Sequence, residues 1–277
     1  MKNLSTRTIV FIHGAFVNYQ CWDNWKTYFE NKGYTCLAPP WPYKDAPADV
    51  LRKTIPFGDI PKLRLRDAIL HYVKIIRDLP EKPIVIGHSY GGLLTQLMLN
   101  RDLAAAAVAI HSLPPQGVIP TRFSFYKATW KSLGFFTSVR RSYLMSFKDW
   151  TYAFTNKMTL QQQQTGYDEV AVPESKLMVR DALTSTAKVD FKKPHAPLLF
   201  TSGSIDHTIP VSLNRSNFKK YKNKNSITEL KVFDGFNHFV LGSPAWLEVA
   251  EYVFNWLNNL DLKSETTDPK KEAMETV

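Results

Sequence analysis

The sequence predicts an α/β protein: a mainly parallel sheet of about six strands with helices against its faces. Three observations carry that reading. Short apolar, β-branched runs alternate with longer segments of helical period. One such run leads into Gly87-His88-Ser89-Tyr90-Gly91 and then directly into a helical stretch, which reads as strand, tight turn, helix. A length of 277 residues with 44% apolar content suffices to bury about three-quarters of the open chain's surface around one core.

The strand candidates are 8–12, 34–38, 83–86, 106–110, 197–201 and 227–233, most of them continuously apolar as strands covered on both faces should be. Leu65, Ile69, Tyr72, Val73, Ile76 and Leu79 recur at helical spacing, as do Trp246, Val249, Val253, Trp256 and Leu257 near the end. Both stripes read as packing surface. Between the fourth and fifth strands, 86 residues replace the dozen or so that an ordinary crossover needs. Within that interval, 32 residues hold eleven of the chain's 36 aromatics. A helical lid is therefore expected over 118–188, inserted into a core formed by 1–117 and 189–262. The glutamine run 161–164 makes a polar patch on or beside it. The segment 263–277, polar and without apolar period, is expected to be a mobile tail.

Composition excludes several classes of function. No apolar stretch reaches the 18 residues of a membrane span, and no signal-peptide pattern follows Met1, so a soluble, cytoplasmic protein is expected. Cys21 and Cys36 form neither a C-x-x-C pair nor a zinc-ligand array and read as buried free thiols. The net charge of +10 is concentrated: residues 118–188 carry ten Lys or Arg against five Asp or Glu. No RNA-binding or zinc-finger signature accompanies it, so a solvated basic face is preferred over a nucleic-acid partner.

The G-x-S-x-G turn is the most specific signal. A serine hydroxyl is a weak nucleophile unless it is held out from the sheet beside a base, and a strained turn does the holding. Ser89 at a helix start also faces unpaired N–H groups toward developing negative charge. A nucleophilic Ser89 calls for a histidine base and an orienting carboxylate later in the chain. His238, in the loop after the last strand, and Asp206, just after the preceding strand, meet that order; Asp234 is the rival carboxylate, four residues before His238. His13-Gly14-Ala15 ends the first strand, where backbone N–H groups can face that of Tyr90 as an oxyanion site. Phe16, Phe239 and His111 are candidate walls of the substrate pocket. His71, His195 and His207 read as structural, and His88 as an interchangeable position of the turn.

Together these segments resemble the α/β-hydrolase superfamily, over nearly the whole chain apart from the insertion and the tail. The match to its compact branch, which includes plant methylesterases and hydroxynitrile lyases, rests on Gly87-His88-Ser89-Tyr90-Gly91-Gly92-Leu93 and Asp206-His207-Thr208-Ile209-Pro210. The resemblance implies Ser89 as nucleophile, His238 as general base and acid, Asp206 as its partner, and the N–H groups of Ala15 and Tyr90 as oxyanion hole. Lyases of that branch carry Thr where this chain has Gly14 and Lys where it has Phe239, so both positions are esterase-like. Ser89 argues against the haloalkane dehalogenases and epoxide hydrolases, which use Asp there. The implied activity is that of a carboxylic-ester hydrolase acting on a small or medium, largely apolar ester, with no cofactor and no metal. Perhydrolysis (a haloperoxidase), thioester hydrolysis and carbon–carbon bond hydrolysis by the same triad are the alternatives, and a ligand receptor with an idle triad is a further one.

Overall fold

The structure is a computed structural model that describes residues 6–55 and 58–265. Six strands, β1 (Thr8–Ile12), β2 (Thr35–Leu37), β3 (Ile84–His88), β4 (Ala106–Ile110), β5 (Leu198–Gly203) and β6 (Thr228–Phe233), form one parallel sheet in the order β2-β1-β3-β4-β5-β6. Each lies where the apolar runs predict it, within two residues at either end.

Strand periodicity divides the core. Ile9, Phe11, Ile84, Ile86, Ala106 and Val108 point to one face, and Val10, Ile12, Val85, Ala107 and Ala109 to the other. The first face is covered by α1 (Asp23–Glu30) and α10 (Trp246–Glu265), whose Val249, Val253, Trp256 and Leu257 are the predicted stripe. The second is covered by α3 (Leu65–Arg77) and α4 (Tyr90–Asn100), which follow the short α2 (Ala48–Lys53). Residues 90–99 of α4 are buried all round, because the helix is packed between the sheet strands β1, β3 and β4 and helix α3.

The insertion contains α5 (Phe123–Leu133), α6 (Phe147–Ala153), α7 (Leu160–Val170) and α8 (Lys176–Asp181). Local chemistry delimits them. Ser146, Thr159 and Ser175 accept N-cap hydrogen bonds from the first turns of α6, α7 and α8, and Gly134, at φ +55°, ends α5 in a left-handed cap. After β5, α9 (Val211–Phe218) returns the chain to β6. Helix α10 runs through Glu265, so residues 263–265 are helical rather than the start of a tail; the rest of the expected tail, 266–277, lies outside the described residues. Among the described residues no helix is long and apolar enough to cross a membrane.

From β1 the chain moves to β2 on one side, whereas β3 pairs on β1's other side. The carboxyl ends of β1 and β3 thus flank a topological switch point, where open α/β sheets hold ligands. Ala15 and Phe16 follow the first of these strands, and Ser89 follows the second.

Candidate active site

The turn after β3 holds Ser89 at φ +55° and ψ −116°, a conformation that costs on the order of 1–3 kcal/mol and persists only where the surroundings enforce it. Two glycines make the enforcement possible. A Cβ on Gly87 would collide with the Gly91 carbonyl, and one on Gly91 with the Ile12 carbonyl, so helix α4 can start hard against β1 and β3 only with hydrogen at both sites. Phe16 and His111, at φ +65° and +43°, are strained in the same way and lie on the same rim.

Three segments meet there. Ser89 Oγ lies 2.9 Å from His238 Nε2, and His238 Nδ1 lies 2.7 Å from Asp206 Oδ2. Neutral His238 with its proton on Nδ1 donates to the carboxylate and leaves Nε2 to accept from the hydroxyl, the order that general-base activation requires. Asp234, the rival carboxylate, instead accepts from Ser204 Oγ at 2.8 Å near the surface. Asp206 Oδ1 accepts the Ile209 N–H at 2.7 Å, which fixes the carboxylate plane.

His111 takes a different place from the pocket wall expected for it. It is fully buried behind the relay, its Nδ1 lies 3.1 Å from Asp206 Oδ2, and it does not line the cavity beside Ser89. The carboxylate oxygen thus receives N–H groups from two imidazoles. Burial acts to raise the Asp206 carboxyl, but the hydrogen bonds from His111 and His238, and the attraction to His238 whenever that ring is protonated, outweigh it and hold the group well below the usual carboxylate range. Burial, partly countered by the bond to Asp206 and its charge, shifts His111 below the ordinary histidine value. His88 is also more than an interchangeable residue: it is buried, and its Nε2 lies 2.9 Å from the His238 carbonyl oxygen, steadying the backbone at His238. Burial and the neighbouring His238 and His111 push His88 well below its ordinary value; because a carbonyl oxygen can only accept, the Nε2 that faces it is the donor.

The His111, Asp206 and His238 ligand-type atoms lie within 4.8 Å of one another, but hydrogen bonds already join them. A cation there would displace the proton that His238 Nδ1 donates to Asp206.

Beside Ser89 opens an apolar cavity of about 100 Å³, walled by Ala15, Phe16, Tyr90, Phe125, Met145 and Phe154 among others. Phe16 thus lines the same cavity as Ser89. Phe239 does not: it packs on Trp150 at 5.3 Å and lines a separate open groove of about 780 Å³ with Gln20, Asp49 and Asp168. That groove is larger, yet none of the three relay side chains lines it, whereas Ser89 lines the smaller cavity. The sequence did not single out Phe154 for this site, where its ring stands edge-on to His238 at 4.9 Å. Only its place in the aromatic-rich interval hints at it.

Sequence reasoning also missed what secures the loop after β1. Lys44 Nζ and Glu174 Oε2 form an ion pair at 2.8 Å with both side chains wholly buried. Lys44 also donates to the Val17 carbonyl at 3.1 Å, and Glu174 Oε2 accepts the Phe16 N–H at 3.3 Å. The Val172 N–H donates to the Phe16 carbonyl at 2.9 Å. The insertion thus clamps the segment that bears Ala15 and Phe16. On its other side His13, kept neutral by burial and the Lys44 charge, stacks on Trp41 and accepts its backbone N–H at 3.2 Å.

A parallel sheet with this relay at its switch point is the architecture of a hydrolase core. The model of the alpha/beta hydrolase family matches residues 9–250, and the chain belongs to that family. Among curated proteins, it is 29% identical over 121 residues to norfluorocurarine synthase 1 of Strychnos nux-vomica, a stretch that is 42% of this chain and 42% of that protein's length. Among solved structures, a monoacylglycerol lipase of Paleococcus ferrophilus superposes with a TM-score of 0.66 at 22% identity, covering 91% of this chain and 94% of the other. A methylesterase of Arabidopsis does so with a TM-score of 0.62 at 15% identity, covering 91% and 98%. Likeness at these identities shows the shared fold.

Proposed function

We propose that the chain is a serine hydrolase that cleaves a carboxylic ester of a small or medium, largely apolar substrate through an acyl-enzyme. The observation that carries this reading is the unbroken relay from Ser89 through His238 to Asp206, opening on an apolar cavity. Ser89 Oγ bonds to the acyl carbon while His238 Nε2 takes its proton. The carbon–oxygen bond to the alcohol then breaks, and His238 returns the proton to the departing alkoxide. A water deprotonated by His238 attacks the acyl-enzyme and frees the acid and Ser89. Asp206 orients the imidazole and stabilises its cationic form, and the N–H groups of Ala15 and Tyr90 are the donors to the oxyanion. These steps use no cofactor or metal.

Residues 118–188 act as the lid over a core of 1–117 and 189–262. In support, α5 and α8 contribute walls to the cavity and Phe154 shields His238. The lipase and the methylesterase that share the fold are named for ester cleavage, which fits this reading. A cytoplasmic setting fits the unbonded cysteines, of which Cys36 has a thiol pushed up to about 12 by burial.

The cavity is smaller than the roughly 300–1,000 Å³ of sites that enclose drug-sized ligands, which favours a short acyl group. On a panel of p-nitrophenyl esters, acyl thioesters, carbon–carbon substrates and peroxide-dependent halogenation, short-chain esters should give the highest kcat/KM. Esters as the poorest class would overturn the reading in favour of one of the other reactions.

A further inference from the structure

We propose that the outer face of α5, with the segment 134–141 that follows it, docks on an anionic lipid bilayer. Helix α5 has two working faces. Phe125, Ala128, Thr129 and Ser132 turn inward and line the cavity, while Phe123, Tyr126 and Trp130, one and two turns apart, turn outward. Phe123 is 77% exposed, Trp130 55% and, just past the helix, Phe136 90%. Ile119 and Leu183 are exposed as well. Aromatic rings on consecutive turns gain nothing by facing water and do gain at the boundary between headgroups and acyl chains.

Charge selects the partner. Residues 118–148 contain six basic side chains, Arg122, Lys127, Lys131, Arg140, Arg141 and Lys148, and no acidic one, although the whole chain has 25 acidic residues. Lys131 is paired with Asp149 from the next helix, whereas Arg122, Arg140 and Arg141 are exposed with no carboxylate partner among the described residues. A second copy presenting the same face would bring like charges together. Exposed Ile119 and Leu183 add aliphatic side chains, which can insert among acyl chains.

The face is also held in shape. Arg180 donates to the carbonyls of Leu133 and Gly134 at 2.7 and 2.6 Å and lies under the Phe135 ring, and Phe135 packs against Trp130 at 5.8 Å. Lys176 Nζ holds the Ser138 carbonyl at 2.9 Å. The rings are therefore presented by a fixed scaffold. Bilayer contact on this side would bring the cavity wall formed by α5 up to the membrane, whatever reaction the cavity performs.

Co-sedimentation of the full chain with phosphatidylcholine vesicles, with and without about 30% phosphatidylglycerol, tests this at about 0.1 M salt, where surface charge is felt over about 10 Å. Partitioning should be at least about tenfold stronger with the anionic lipid. The pair Arg140→Gln and Arg141→Gln should weaken it about thirtyfold, and the pair Phe123→Ala and Phe136→Ala at least about tenfold. Thermal melts check that each variant folds, and Phe136→Ala alone, at the most exposed ring, replaces the aromatic pair if that fails. Equal partitioning to both vesicle types would overturn the proposal, as would binding indifferent to the aromatic variants. Retention on immobilised heparin without vesicle binding, or a dimer in solution broken by the aromatic variants, would also overturn it. The readout needs no turnover, so it stands or falls apart from the ester-hydrolase reading.

Discussion

Ser89→Ala is expected to lower kcat on the best p-nitrophenyl ester by about 10⁶-fold while leaving the melting temperature within a few degrees of the parent. Removing the hydroxyl takes away the relay atom, 2.9 Å from His238 Nε2, on which the proposed acyl-enzyme forms. A residue of catalysis should survive, since the N–H groups and the cavity remain; by analogy with serine proteases it is about 10³–10⁴ over water. The fold should tolerate the change because Ser89 Oγ is bonded only within the relay, while its backbone N–H donates to the Ile110 carbonyl and its carbonyl accepts the Leu113 N–H, both at 2.9 Å. The kinetics of the purified variant, with its melting curve, check both halves. Activity within tenfold of the parent would remove Ser89 from the mechanism.

The second large effect concerns stability. Lys44→Met leaves Glu174 as an unpaired charge in a site with no exposure and is expected to cost about 3–5 kcal/mol, a fall in Tm on the order of 10 °C. Glu174→Gln keeps an acceptor for one of the Phe16 and Ser175 N–H groups but strands the Lys44 ammonium, so it should cost a similar amount. Combining the two removes both charges together, and the double variant should be markedly more stable than either single one. Because the pair anchors the segment bearing Ala15 and Phe16, kcat should fall in the single variants more than KM rises. Urea denaturation of the four proteins gives the coupling directly, and a value under about 1 kcal/mol would mean that the pair is not the clamp described.

These two predictions differ in how far the sequence alone leads to them. Ser89, His238 and Asp206 are legible because each sits in a short segment whose form is locally dictated: a glycine-framed turn after an apolar run, or a loop at a strand's carboxyl end. The sheet is legible for a similar reason, since strands buried on both faces must be apolar throughout. Lys44 and Glu174 carry no such mark. They lie 130 residues apart, in segments that read as ordinary polar loop, and pairing across that distance leaves no trace in periodicity or composition. His111 is an intermediate case. Its position at the end of β4, beside the strand that bears Ser89, was visible, but the +43° φ that sends its ring behind Asp206 was not. Phe239 adjoins His238 in sequence, but its ring turns away to fill the space under α6 and α7.

The most direct test of the central claim is covalent: treatment with a fluorophosphonate, then proteolysis and mass mapping of the adduct, with Ser89→Ala as control. A single phosphonyl group on Ser89, absent from the control, is the predicted result. Modification of a different serine in the parent, or equal labelling of the Ser89→Ala protein, would contradict it.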